Sequence, residues 1–258
     1  MIASIKAEFR KLITVKSTYV LIALAIIYMI FYDFYVVGFE KGLRHSHVGG
    51  PQDPYFLMNE VTRAAGIAAP ILFSSLIAVM LMAHEYRHNT IMYTLTLVNS
   101  RSKTLISKII AMSTFALLFS IFIVILAPSL ALVGFHFHHV VLAHQHFYIS
   151  GFFWRVLFYC WSYSMIGLVL AVFLRNIVAS VAAIFLLPVT IEPLIGLLLS
   201  PNQQQYLPFT ALSNIINSET SKAAIQVLSA AKSVMVVIAY LIVVWIIAWI
   251  VFLRRDAS

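Results

Sequence analysis

Charged residues are scarce in this chain. Asp, Glu, Lys and Arg together make up only 10% of its 258 residues, whereas a soluble domain carries about 25%. Hydrophobic residues make up 62% of the chain. This composition excludes an ordinary soluble domain and predicts an integral membrane protein with little mass outside the bilayer.

Acidic residues are the rarer charged class. Nine Asp and Glu residues stand against 17 Lys and Arg residues, which gives a formal net charge of +8. The basic residues lie at the ends of apolar runs and form no continuous patch. The excess of positive charge therefore does not predict nucleic-acid binding.

The chain has a single cysteine and lacks two common catalytic motifs. Cys160 is the one cysteine, so the chain has no internal disulfide and no metal motif that needs two or more cysteines. The pattern G-x-x-x-x-G-K-[ST] does not occur, which excludes ATP hydrolysis at a P-loop of this chain. A G-x-S-x-G elbow is absent as well.

Long apolar runs dominate what is present. A helix crosses a bilayer with about 20 apolar residues, and six runs reach this length. They predict an all-α membrane protein in one transmembrane domain over residues 1–258. The predicted spans cover about residues 17–39, 64–83, 109–135, 152–174, 177–199 and 233–253. The fifth span contains Pro188, Glu192 and Pro193, so we expect it to be kinked or broken.

The first sixteen residues have a different pattern. Apolar and basic side chains alternate there with helical spacing, which predicts an amphipathic helix lying in the membrane interface. The apolar face comprises Ile2, Ile5, Phe9 and Leu12 or Ile13, and the basic face comprises Lys6, Arg10 and Lys11.

The distribution of Lys and Arg predicts the orientation. If both termini are cytoplasmic, the inner segments hold eleven of these residues and the outer segments hold six. Basic residues accumulate on the cytoplasmic side of membrane proteins. Both termini and the loop over residues 85–108 are therefore predicted to face the cytoplasm, and the three longer loops to face outward.

The stretch from His84 to Lys108 joins spans two and three and concentrates positive charge. Within it, Ile91, Leu95 and Val98 recur at helical spacing. This spacing predicts a short helix lying along the cytoplasmic membrane surface.

Two histidine patterns raise the question of metal binding. His84, Glu85 and His88 match H-E-x-x-H, in which two imidazoles hold zinc and the glutamate is a general base. One reading is thus a membrane-embedded zinc metalloprotease, although no motif supplies a third ligand; the other is a pair of interfacial histidines. The loop over residues 136–150 fits either a metal-binding loop of a metal-handling protein or an aromatic interfacial loop. Its histidines are His136, His138, His139, His144 and His146.

Ionisable residues inside predicted spans are a further signal. Charges in the bilayer are costly and often mark a transport path. Asp33 and Glu192 fall in this class, and either residue could line such a path or reach the outer interface. Glu192 is expected to line or border a cavity between subunits, because it lies between two prolines in a distorted span.

Four segments, taken in order, resemble the ABC-2 type transporter permeases in their small six-span bacterial form. They are the basic start SIKAEFRKLITVKSTYVLIAL; Glu85 followed by Thr90-Ile91, Leu95, Ser100-Arg101 and Lys108; Tyr206-Leu207-Pro208-Phe209; and Phe252-Leu253-Arg254-Arg255-Asp256. The chain departs from the family pattern at Asn89, where glycine is usual, and at Val98-Asn99, where a proline-containing turn is common.

The resemblance implies a function and partners. Permeases of this family pair as two membrane subunits, identical or different, with two separate ATPase subunits that bind ATP and Mg. The chain would thus be a non-enzymatic export subunit in the bacterial plasma membrane, moving an antimicrobial peptide, an antibiotic or an ion. The surface helix after span two would dock into a groove of the ATPase. The implied coupling residues are Glu85, Arg87, Thr90, Ile91, Thr94, Leu95 and Arg101, and Arg10 and Lys11 are candidate partners of Glu85.

Overall fold

The computed structural model of this chain describes residues 2–32, 34–35, 73–88, 90–93, 100–137, 149–217 and 228–254. About 92% of these residues are helical, and none of them lies in a strand. The prediction of an all-α protein is confirmed for this part of the chain.

The described residues include ten α-helices and one π-helical segment. In chain order they are α1 (Ile2–Thr14), α2 (Lys16–Met29), α3 (Ser75–Arg87), α4 (Arg101–Phe137), α5 (Ile149–Leu174), α6 (Ile177–Leu186), the π-helix Leu187–Ile191, α7 (Glu192–Leu197), α8 (Pro201–Gln204), α9 (Pro208–Asn217) and α10 (Ala230–Arg254).

Four described helical stretches are long and apolar enough to cross a membrane, namely Arg101–Phe137, Phe153–Leu174, Ile177–Leu197 and Ala230–Arg254. The segments Ile2–Thr14 and Lys16–Tyr32 meet at a bend of 58° and together make a fifth candidate. Four to five apolar helices of this length characterise a membrane protein. The count of six spans stays a prediction, since residues 64–72 of the predicted second span lie outside the described residues.

Helix α4 begins earlier than the sequence analysis predicted. The third span was expected to start near residue 109, but the helix begins at Arg101. Ser100 caps its first turn, since its hydroxyl accepts a 3.4 Å hydrogen bond from the Lys103 amide. Lys108 lies inside this helix and not before it, and its charge is paired inside the fold.

Helix α5 occupies the centre of the described fold. It packs against α3, α4, α6, α9 and α10, and its residues Val156, Cys160 and Leu168 are fully buried. It approaches the start of α3 closely, since a Cβ atom on Gly167 would lie 2.7 Å from the Ser75 carbonyl oxygen. Only glycine fits at this crossing.

The turn between α5 and α6 is as tight as the sequence predicted. It consists of Arg175 and Asn176 alone, and Arg175 adopts a left-handed conformation with φ 51°. The Asn176 side chain caps α6 by accepting hydrogen bonds of 2.8 and 3.2 Å from the amides of Val178 and Ala179.

The fifth predicted span is distorted near its prolines, but the helical stretch Ile177–Leu197 is continuous and not broken. The helix changes to a π-helix over Leu187–Ile191, at Pro188, before α7 resumes regular α-helical geometry. Proline has no N–H to donate, which favours such an irregularity. Helix α9 then packs back on α5 and α10, and it buries Ala211, Leu212 and Ile215.

Candidate functional site

The ends of several helices meet at one end of the fold. Arg101 Nη1 donates a 3.1 Å hydrogen bond to the Leu253 carbonyl, which joins the start of α4 to the end of α10. The Arg175 guanidinium lies 5.1 Å from the centre of the Tyr86 ring, which joins the end of α5 to the end of α3. We call this region the basic end. Its Lys and Arg residues include Lys11, Arg87, Arg101, Lys103, Lys108, Arg175 and Arg254.

Four charged side chains from three helices form a cluster at the basic end. We call Glu8, Lys11, Glu85 and Lys108 the ionic cluster. Lys108 Nζ lies 2.8 Å from Glu8 Oε2 and 2.7 Å from Glu85 Oε1. Lys11 Nζ lies 2.8 Å from Glu8 Oε1 and 2.5 Å from Glu85 Oε1. The cluster therefore holds two negative and two positive charges and is neutral as a unit.

Burial makes this arrangement costly to disturb. The Lys108 side chain is 0% exposed, and Glu8 and Glu85 are also buried. The Lys108 ammonium has a third hydrogen-bond acceptor, the Leu81 carbonyl, at 3.3 Å. A buried charge is tolerated only when its partners compensate the lost hydration. The cluster consequently fixes α1, α3 and α4 against one another.

Helix α1 presents an unexpected face to the fold. Glu8 and Leu12 are buried one turn apart, whereas Ile2 and Ile13 of the predicted apolar face are 84% and 61% exposed. The hydroxyl of Ser4 also donates to that of Ser107 in α4 at 2.9 Å. The buried side of α1 is therefore centred on an acid and includes Leu12 and the half-buried Phe9, while Ile2 and Ile13 face outward.

Two members of the ionic cluster, Lys11 and Glu85, have shifted pKa values. Burial alone would lower the pKa of Lys11, but the negative charges of Glu85 and Glu8 outweigh this and raise it above the usual 10.5. Burial alone would raise the pKa of Glu85, but the ammonium groups of Lys108 and Lys11 outweigh this and lower it below the usual 4.5. Both side chains are thus ionised at neutral pH.

The H-E-x-x-H residues are divided between two environments. The rings of His84 and His88 lie 5.6 Å apart between centroids, whereas the Glu85 carboxylate is bound to two ammonium groups. No three His, Cys, Asp or Glu side chains within the described ranges are arranged to hold a metal ion. Of the histidine loop only His136 is described, in the last turn of α4; His138, His139, His144 and His146 lie outside the described residues.

The chain continues from α3 toward the predicted surface helix. The amide of Thr90 donates to the Glu85 carbonyl at 3.0 Å. Ile91 is buried, while Met92 and Tyr93 are 51% and 72% exposed. A cavity of about 390 Å³ lies between this segment and α1, and its polar lining includes Lys11, His84, Glu85, His88 and Tyr93. Arg87 is exposed, and Thr94 and Leu95 lie outside the described residues.

Glu192 caps a helix. Its Oε2 accepts a 2.8 Å hydrogen bond from the Phe209 amide, and its Oε1 accepts from the amide and hydroxyl of Thr210 at 2.5 and 2.6 Å. These donors form the first turn of α9, where a negative charge is favoured. Glu192 also borders a cavity of about 500 Å³ within the chain, and the predicted cavity between subunits stays a prediction. A transport role for this residue stays a prediction, and Asp33 lies outside the described residues.

Residues 18–258 match the family described as "Protein of unknown function (DUF2705)". The chain belongs to the DUF2705 family. No curated protein matches it. The matched region of this DUF2705 chain includes Glu85, Lys108 and Glu192, whereas Glu8 and Lys11 precede it.

Sequence patterns predict only part of the ionic cluster in this DUF2705 protein. Lys11 is among the predicted partners of Glu85, and the structure places these side chains 2.5 Å apart. Glu8 is not among the predicted site residues, and Lys108 is predicted only as a basic residue at the end of the loop between spans two and three. The available signal was Glu8 itself, the one acid among the basic and apolar residues of α1.

Proposed function

We propose that this protein is the membrane subunit of an ATP-binding cassette exporter of the ABC-2 type. A separate ATPase subunit hydrolyses ATP, and the chain pairs with a second permease copy or a paralogue. The exported compound is an antimicrobial peptide, an antibiotic or an ion. The observation that carries this proposal is the ionic cluster, because it joins the three elements that surround the expected ATPase-docking segment.

The ionic cluster fixes the helices on both sides of that segment against each other. Helix α3 leads into the segment and α4 leaves it, and Glu85 and Lys108 join these two helices. Helix α1 is fixed to both through Glu8 and Lys11. A force applied between α3 and α4 therefore reaches the spans directly. Rigid elements with two discrete packings are a known means of switching a transporter.

The described part of the docking segment has the surface that such a contact requires. Ile91 is buried against the rest of the fold, while Met92 and Tyr93 are exposed. Large aromatic and Met side chains are enriched at protein interfaces. We therefore assign the ATPase contact to the surface that begins at Met92 and Tyr93 and continues to Leu95.

Pull-down from membranes of the native host tests this assignment. Tyr93→Ala and Leu95→Asp should reduce the ATPase recovered with a tagged chain by about tenfold, the effect of losing one or two interface anchors. Tyr206→Ala is the matched control, since Tyr206 is also exposed but belongs to the predicted outer loop. Equal ATPase recovery with all three variants would remove the docking surface from this segment.

We further propose that the basic end faces the cytoplasm of a bacterial plasma membrane. The support is the excess of Lys and Arg at that end. After Cys160 is replaced, a cysteine at exposed Lys103 should react with an impermeant maleimide only in inverted vesicles. A cysteine at exposed Lys232 should react in intact cells. The reverse labelling pattern would invert the topology.

A further inference from the structure

The cavity beside Glu192 combines aromatic rings with a carboxylate. Its volume is about 500 Å³, which is within the range of small-molecule sites. Tyr159 and Tyr163 are each 3% exposed, and both line it. Their ring centroids lie 4.8 Å apart, and the Phe209 ring follows at 5.8 Å from Tyr163. Three aromatic rings and one carboxylate thus line the same cavity.

The negative charge of Glu192 is held but not neutralised. Its three hydrogen-bond donors are two amides and a hydroxyl, and none of these groups carries a formal charge. The salt bridges between described residues all lie in the ionic cluster at the basic end. Glu192 itself is buried. A cation that enters the cavity would therefore meet a fixed charge in a low-dielectric site.

The frame of the cavity is fixed by hydrogen bonds. Gln204 Nε2 donates to the carbonyls of Gly196 at 2.8 Å and Leu199 at 3.3 Å, which ties α8 to the end of α7. Glu192 ties α7 to the start of α9. Gly196, Gln204 and Phe209 line the cavity. A ligand would thus find the rings and the carboxylate already positioned, which limits the entropy lost on binding.

We propose that this cavity binds a lipophilic organic cation, of the quaternary ammonium or phosphonium class, and that such a cation is a transported substrate. Aromatic faces attract a cation within about 6 Å of the ring centroid, and the carboxylate supplies the charge. The three rings provide an apolar surface for the ligand's substituents. The transport part of this proposal rests on the exporter function proposed above, whereas the binding part does not.

The competing explanation is that Glu192 serves only as the cap of α9. Two pairs of variants separate the explanations. Glu192→Gln removes the charge, whereas Thr210→Ala weakens the cap and keeps the charge. Tyr163→Leu removes a ring, whereas Tyr163→Phe keeps it. A role limited to capping predicts no difference in cation binding within either pair.

Binding is measured on the purified full chain in lipid nanodiscs, by equilibrium dialysis with labelled tetraphenylphosphonium. Tetraphenylborate, an anion of nearly the same shape, is the control for partitioning into lipid. We expect saturable binding of the phosphonium. Its Kd should rise about tenfold or more in Glu192→Gln and about fivefold or more in Tyr163→Leu. Thr210→Ala and Tyr163→Phe should stay within about threefold of wild type.

Three results would overturn the proposal: no saturable phosphonium binding to wild type, unchanged affinity in both Glu192→Gln and Tyr163→Leu, or equally tight saturable binding of the borate. If Glu192→Gln fails to elute as a folded protein, the two Tyr163 variants decide. Because no ATPase is present, these results are independent of the exporter assignment. Conversely, loss of ATPase binding in the docking variants would leave phosphonium binding unchanged.

Discussion

Lys108 and Glu85 lie 23 residues apart in the chain, and a salt bridge of 2.7 Å joins them inside the fold. The ammonium is fully buried. Removing one partner of such a pair leaves an uncompensated charge, which costs more than the pair itself contributes.

Lys108→Met should therefore destabilise the protein strongly. It leaves the buried carboxylates of Glu8 and Glu85 without this ammonium, and we expect a loss of about 3–5 kcal/mol in the free energy of unfolding. The matched control is Lys103→Met on the exposed side of α4, which should change stability by less than about 0.5 kcal/mol. Unfolding in mixed micelles by SDS, followed by Trp fluorescence, measures both. Similar stability of the two variants would show that the Lys108 charge is not structurally important.

Stability should depend on pH in a way set by Glu85 and Lys11. The pKa of Glu85 is lowered in the fold, so its contribution is present above its ordinary value of 4.5 and is lost as pH falls through the lower folded pKa. The pKa of Lys11 is raised, so its contribution is present below 10.5 and is lost as pH rises through the higher folded pKa. We expect a melting temperature that is constant near neutral pH and falls at both extremes.

Glu85→Gln provides the test of the acid side. The variant should melt at a lower temperature than wild type near neutral pH. Below pH 4.5 its melting temperature should fall less than that of wild type, because the variant has no carboxylate at position 85 to take up a proton. Parallel curves for the two proteins down to acid pH would show that Glu85 does not cause the acid sensitivity.

Gly167→Ala should disrupt the crossing of α3 and α5. The added Cβ would lie 2.7 Å from the Ser75 carbonyl oxygen, so the two backbones must separate. Overpacking of this kind costs about 1–3 kcal/mol. Gly196→Ala is the control, since its nearest neighbour outside the local helix would lie 3.9 Å away. If SDS unfolding gives the same stability for both variants, α3 and α5 do not cross at this distance.

The histidine pair should not hold a structural or catalytic zinc ion. A protein zinc site needs at least three protein ligands, and none of the described side chains joins His84 and His88 as a third ligand. We expect the purified protein to contain far less than one zinc per chain by plasma mass spectrometry. The double variant His84→Ala, His88→Ala should keep ATPase binding. Stoichiometric zinc that this variant loses together with activity would restore the protease interpretation.

Local sequence patterns predicted the helices better than the charged contacts. Apolar run length predicted where the described long apolar helices lie, and Pro188 indicated the distortion in the fifth predicted span. The pairing of Lys108 with Glu8 connects residues 100 positions apart, and no local periodicity encodes such a contact. The cap formed by Glu192 likewise depends on how residues 198–207 turn. The Gly167 crossing depends on the packing of two helices, which a single glycine in an apolar run does not reveal.

Photo-crosslinking from position 93 tests the central claim, that this chain is the membrane subunit of an ABC exporter, most directly. Benzoylphenylalanine replaces Tyr93 in the tagged full-length protein in native cells, and the same substitution at exposed Tyr206 is the control. We predict that ultraviolet light joins position 93, but not position 206, to a polypeptide carrying the G-x-x-x-x-G-K-[ST] motif of an ATPase. Efficient crosslinking from position 93 that yields no such polypeptide would contradict the account.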